Sequence, residues 1–155
     1  MYQNGRGVPR DDTKAAEWFR RAADQGIAGA QFALGWMYLK GHGLPQDDSL
    51  AASCYLQAAR QKHDRAANAL GILYVDGQGV ARDHTEAASW FRRAADQGIT
   101  DAQFSLAELY IEGLGVPQDA AEAMSYYRKA AQQGHGQAAY ALGTMYMHGR
   151  AVEQN

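Results

Sequence analysis

The segment Gly41-His42-Gly43-Leu44-Pro45 has the form of a turn that can cradle a phosphate on its backbone N–H groups. Few other places in the chain pair residue type with chemical spacing. Five histidines, His42, His63, His84, His135 and His148, form neither an i,i+4 pair nor an HExxH array, so no metal site is expected. The paired carboxylates Asp11-Asp12 and Asp47-Asp48 stand at expected helix starts, where the helix macrodipole accounts for them. No GxSxG or Walker sequence is present. The chain reads as non-catalytic, with no cofactor.

At 155 residues the chain suits one domain with a sizeable core. Fifteen basic residues oppose seventeen acidic ones, a net charge of -2. That balance supplies no field for nucleic acid or an anionic membrane. No apolar run reaches the ~18 residues of a membrane span, so no membrane insertion is expected. No signal-peptide pattern follows Met1. A soluble protein is expected, cytoplasmic by default, with the periplasm or the exterior open if a signal was removed.

The Gly-x-Gly segment is not unique. GHGLP at 41 is matched by GRGVP at 5, GQGVA at 77 and GLGVP at 113, with a degraded GRAVE at 149, a period of 36 without slippage. Tyrosine keeps the same step at 2, 38, 74, 110 and 146, and leucine at 34, 70, 106 and 142. The chain is one repeat domain over 1–155: units 2–37, 38–73, 74–109 and 110–145, with a partial fifth at 146–155. The glycines therefore read as turn geometry between helices, because a phosphate loop would occur once with a dedicated cation. Lys40 has Asp76 and Glu112 at its equivalents.

Each unit holds two helical stretches. From about Asp12 to Gln25, Ala15, Phe19, Ala22 and Ala23 share a face at helical spacing. Asp11, Asp47, Asp83 and Asp119 are the expected N-caps, with Glu86 and Glu122 placed for capping boxes. These stretches end at Gly26, Gly98 and Gly134, suited to a left-handed C′ position; repeat two has Lys62 there and is the expected soft spot. The second stretch, about Ala28 to Leu39, gathers Ala30, Leu34, Met37 and Tyr38 on one face. The small Ala30 and Gly35 columns suit close helix approach. Short turns between such helices give antiparallel pairs, and repetition stacks them into an all-α solenoid. Cys54, in a column otherwise Trp18, Trp90 and Tyr126, reads as a partly buried apolar residue rather than a nucleophile.

The set Ala66, Leu70, Gly71, Tyr74, Gly77, Gly79, Val80, Asp83, Ala87, Trp90, Ala94, Ala95 and Gly98 resembles the Sel-one-like repeat (SLR), a relative of the tetratricopeptide repeat. Departures are Cys54 and Tyr126 in the tryptophan column, Ala107 for glycine, and Ala151 in the last turn. The resemblance covers essentially the whole chain. It implies a right-handed superhelix of antiparallel helix pairs that presents surfaces to protein partners, often as an adaptor, with many bacterial members. It does not supply the partner.

Columns fixed between units serve the shared fold; columns that vary are free for contacts particular to one unit. On the second helix the varying positions fall together, away from the fixed face. They are Gly29, Arg65, Asp101 and Gln137; Phe32, Asn68, Phe104 and Tyr140; Trp36, Ile72, Glu108 and Thr144; Leu39, Val75, Ile111 and Met147; Lys40, Asp76, Glu112 and His148. By the resemblance this helix lines the concave groove. The apolar columns of Phe32 and Leu39 either line it or pack against adjacent helices. The columns of Gly29, Trp36 and Lys40 change character, which core packing explains poorly. Asp76, Asp101, Glu108 and Glu112 make the middle acidic, so a peptide with an apolar anchor and basic residues is the expected partner.

Residues 1 to 11 read as the tail of an upstream helix and 149 to 155 as the lead into a downstream one. The expectation is a piece of a longer array, or a chain whose uncapped ends self-associate. The windows 13–37 and 85–109 share WFRRAADQGI followed by AQF, so repeats one and three match each other best. The leading function is a protein-binding scaffold. An inhibitor or immunity-type protein blocking a bacterial enzyme or toxin is the narrower alternative. An enzyme acting on envelope glycan or β-lactam-like substrates is the third.

Overall fold

Asp11 opens the first described helix as the repeat pattern requires: its carboxylate accepts the Lys14 N–H at 2.9 Å, satisfying one of the N–H groups a helix start leaves unpaired. The computed structural model describes residues 9–149. The turn at Gly5 and the expected features at Tyr2, Ala151 and Asn155 lie outside them. Two compact units divide the chain, Met1–Arg82 and Asp83–Asn155.

The first unit contains α1 (Asp12–Asp24), α2 (Ala28–Lys40), α3 (Asp48–Arg60) and α4 (Asp64–Asp76). The second contains α5 (His84–Asp96), α6 (Thr100–Glu112), α7 (Ala120–Gln132) and α8 (Gly136–Met147). No strand occurs among the described residues. Within each unit every helix packs on its sequence neighbour, most extensively α2 on α3 and α6 on α7.

The caps follow local chemistry. Asp47 accepts from Leu50 N–H, and Asp83 and Asp119 each accept from two N–H groups of the first turn. The second helix of each pair has no acidic cap. Ile27 and Ile99 precede α2 and α6 without a side-chain bond, while His63 and His135 cap α4 and α8 through Nδ1. Lys62 is the one non-glycine residue at positive φ among the described residues, at 64°.

The fixed columns form the cores. Leu34 and Met37 on α2, Leu70 and Leu73 on α4, and Leu106 and Leu109 on α6 are buried with Ala15-Ala16, Ala51-Ala52, Ala58-Ala59, Ala87-Ala88 and Ala94-Ala95 of the first helices, while Ala22 and Ala23 are half-buried. Alanine adds little apolar area but lets axes approach. Gly35 shows how close: a Cβ there would fall 2.8 Å from the Tyr55 ring. Two glutamines are also buried, Gln31 and Gln103. Gln31 donates to the Ala23 carbonyl at 3.4 Å and accepts from Gln61 at 2.7 Å. Gln103 repeats this with Ala95 at 3.2 Å and Gln133 at 2.9 Å.

In the Gly41–Pro45 turn the N–H groups of Gly41 and His42 both donate to the Met37 carbonyl. Those amides close the C-terminus of α2 and are not turned outward to cradle an anion.

Candidate functional site

The variable face is built from a recurrent aromatic layer. On α2, Phe32 stacks on His63 with centroids 4.7 Å apart and tilts against Tyr55 at 5.5 Å. On α6, Phe104 stacks on His135 at 4.6 Å and tilts against Tyr127 at 5.8 Å. Both phenylalanines are half-buried. Each histidine is fixed from behind, since Nδ1 accepts the N–H of Ala66 or Ala138. The ring proton of the neutral form is therefore on Nε2.

Around that layer the first unit brings together Phe32, Trp36 and Arg65. The Arg65 guanidinium lies 5.7 Å from the Phe32 centroid, within cation–π range. Trp36 is half-buried, stacks on His42 at 4.9 Å, and packs against the Ala15, Ala16 and Met37 cluster. His42 Nδ1 in turn lies 3.6 Å from Asp12. Asp12 is held below the usual carboxylate range, first by its hydrogen bond from Arg10 and less by His42. Leu39, Asn68 and Val75 are half-buried, whereas Gly29, Lys40, Ile72 and Asp76 are exposed.

The second unit carries carboxylates on the same face. Asp101 and Glu112 are exposed, Ile111 and Glu108 are half-buried, and Glu108 accepts a hydrogen bond from the Tyr127 hydroxyl. Burial, then that bond and the nearby Glu108 and Glu112 charges, push the Tyr127 phenol well above its ordinary value. Asp101 Oδ1 lies 3.8 Å from His135 Nε2. On α8, Tyr140 and Met147 are exposed at 76% and 74%, Gln137 and His148 are exposed, and Thr144 donates to the Ala141 carbonyl.

His63, His135, Tyr55 and Tyr127 belong to this face but were not among the residues expected there. One signal was available in the sequence: positions 27, 63, 99 and 135 alternate Ile, His, Ile, His, in step with Phe32 and Phe104. A different set of contacts holds the tyrosine column. Arg20, Arg92 and Arg128 donate to the hydroxyls of Tyr38, Tyr110 and Tyr146, each pair 18 residues apart. Arg21 lies over the Trp18 ring and Arg93 over Trp90. Cys54 is half-buried, and burial pushes its thiol up, with Arg20 acting weakly the other way. Among the described residues no three His, Cys, Asp or Glu side chains converge as a metal site, and no helix is long and apolar enough to cross a membrane.

The Sel1 repeat model matches residues 1–27, 28–63, 64–99, 100–135 and 136–155. The chain belongs to the Sel1 repeat family. Among solved structures, a protective antigen present in uropathogenic Escherichia coli strains, described as displaying an SLR fold, shares 42% identity and a TM-score of 0.96 over 99% of this chain. A Sel1 repeat protein from Oxalobacter formigenes shares 36% identity and a TM-score of 0.90 over the whole chain. The chain spans 33% and 63% of those two proteins' own chains. Helicobacter pylori cysteine rich protein B, at 20% identity, TM-score 0.67, 86% coverage of this chain and 96% of its own, shares the fold. No curated protein matches the sequence. The Sel1 repeat assignment and the helix pairs agree with the all-α solenoid expected from the 36-residue period.

Proposed function

We propose that this Sel1 repeat chain is a non-catalytic protein-interaction scaffold. The second helix of each pair presents the contact face, and α6 receives a partner segment in which basic residues flank an apolar anchor. The observation that carries this reading is the one-sided charge of the second helices of the second unit. Asp101, Glu108 and Glu112 line α6 beside Phe104, and neither α6 nor α8 contains a lysine or arginine. Like charges along one helix weaken it, by a few tenths of a kcal/mol per close pair such as Glu108 and Glu112. They favour association with an opposite charge and exclude acidic competitors. Ile111 and the exposed Tyr140 supply apolar surface in the same unit.

The test starts from proteins captured from a lysate and then measures each purified candidate directly. Glu108→Lys and Glu112→Lys are expected to weaken a true partner at least tenfold, with Glu17→Lys on α1 unchanged. A partner whose affinity ignores both charge reversals and added salt would remove the α6 face from the function.

A further inference from the structure

The two units carry the same aromatic layer with opposite charge decoration. Phe32 on His63 and Phe104 on His135 have nearly equal stacking, with interplanar angles of 24° and 22°. Each phenylalanine also meets the tyrosine of the following helix in a tilted contact. In the first unit that layer has a cation of its own, since Arg65 lies over Phe32. The residue 36 positions after Arg65 is Asp101, and 36 after that is Gln137. Gln137 thus stands beside Phe104 in the register that Arg65 holds beside Phe32. The second unit puts a neutral amide where the first puts a guanidinium.

Its carboxylates change in the complementary sense. Gly29, Trp36 and Lys40 of the first unit correspond to Asp101, Glu108 and Glu112 of the second. Glu108 keeps one oxygen beyond the bond from Tyr127, and Asp101 sits beside the edge of the stacked His135. One unit therefore shows an aromatic layer already occupied by the chain's own arginine. The other shows an equivalent layer flanked by Glu108 and Asp101, with Gln137 rather than a cation at the register of Arg65.

From this internal comparison we propose that the second unit binds an arginine side chain of a partner, seated over Phe104 as Arg65 is over Phe32 and paired with Glu108 and Asp101. The inference rests on the proposed α6 contact face and names the group recognised there. A guanidinium suits the geometry better than an ammonium, because its plane lies flat on a ring while its N–H edge reaches carboxylates. Gln137 is neutral and exposed, so it sets no charge of its own against a bound guanidinium.

The experiment needs no partner. N-acetyl-arginine amide is titrated into the full chain, and the ring signals of Phe104 and His135 are followed by NMR, with the isosteric citrulline derivative as the uncharged control. Saturable shifts with the arginine compound and none with citrulline are expected. Asp101→Asn with Glu108→Gln should weaken binding at least tenfold while conserving shape. Gln137→Arg should supply the missing cation from within and abolish the response, with the thermal midpoint showing that it stays folded. No saturable shift, an equal response to citrulline, or unchanged binding in Gln137→Arg would overturn the proposal. A partner that is still lost on Glu108→Lys would then leave the scaffold reading standing without the arginine site.

Discussion

Gly43 rests directly against the backbone at Asp12. A Cβ on Gly43 would come within 2.7 Å of the Thr13 nitrogen and closer still to the Asp12 carbonyl. Gly79 stands in the same relation to Asp48, and Gly115 to His84. The turn after α2, α4 and α6 thus closes onto the first residue of the helix paired with it. Gly41, two positions earlier, has a φ of 67° but more room, its nearest would-be neighbour being Gln46 Cβ at 3.4 Å.

The two glycines of one turn are therefore expected to differ in tolerance. Gly41→Ala carries mainly the left-handed backbone cost, about 1 kcal/mol. Gly43→Ala adds a collision with main chain that no rotamer relieves, so a loss of about 3 kcal/mol or more is expected. Urea denaturation of the two variants checks this. Equal losses would mean that the turn can shift away from Asp12.

Lys62 offers the opposite case. It occupies at φ 64° the position filled by Gly26, Gly98 and Gly134 in the other units. Lys62→Gly should relieve the left-handed strain and raise stability by about 1 kcal/mol, less what the added freedom of the unfolded chain takes back. The same urea measurement reads it, and a destabilised variant would show that the lysine side chain makes up for its backbone.

What could be read from the sequence divides along the same line as Lys62→Gly and Gly43→Ala. The Asp11 cap, the Lys62 turn and the Leu34 column depend on residues within one helical turn or on a strict 36-residue register, and both are written in the chain. The seat of Gly43 on Asp12, the Phe32 stack on His63 and the Gln31 bond from Gln61 depend on how one helix sets against the next. Column variability is a poor guide there. Trp36 and Glu108 share a column, yet one packs on Met37 and the other accepts from Tyr127. A position can vary in type because its neighbour varies with it.

The buried glutamines should behave as structural clasps. Gln103 joins the Ala95 carbonyl at the end of α5 to the Gln133 amide after α7, so one side chain spans three successive helices. Gln103→Ala removes both bonds, while the Ala95 carbonyl keeps the Gly98 N–H at 2.9 Å and the exposed Gln133 amide turns to water, so a cost of about 1–2 kcal/mol is expected. Repeat two carries Ala67 at the equivalent position, which shows that an alanine fits the backbone there. Hydrogen exchange should locate the loss in α5 and α7 of Gln103→Ala, and a loss spread evenly over the chain would contradict a local clasp.

Alkaline pH should weaken the fold through its buried phenols. Burial pushes Tyr55 up to about 12, and Tyr127 is also raised, first by burial and then by its bond to Glu108. An unfolded tyrosine titrates at about 10. The folded state therefore favours the neutral phenol. Its contribution is fully present below about pH 10 and is lost as pH rises through the folded values, because the unfolded chain then sheds protons that the folded chain retains. The urea midpoint should hold from about pH 8 to about pH 9.5 and then fall, and Tyr55→Phe should flatten part of that fall. Tyr55→Phe keeps the ring against Gly35 and Phe32, so its effect at neutral pH is expected to be small. An alkaline slope identical to that of the unaltered chain would show that the Tyr55 phenolate reaches water without unfolding.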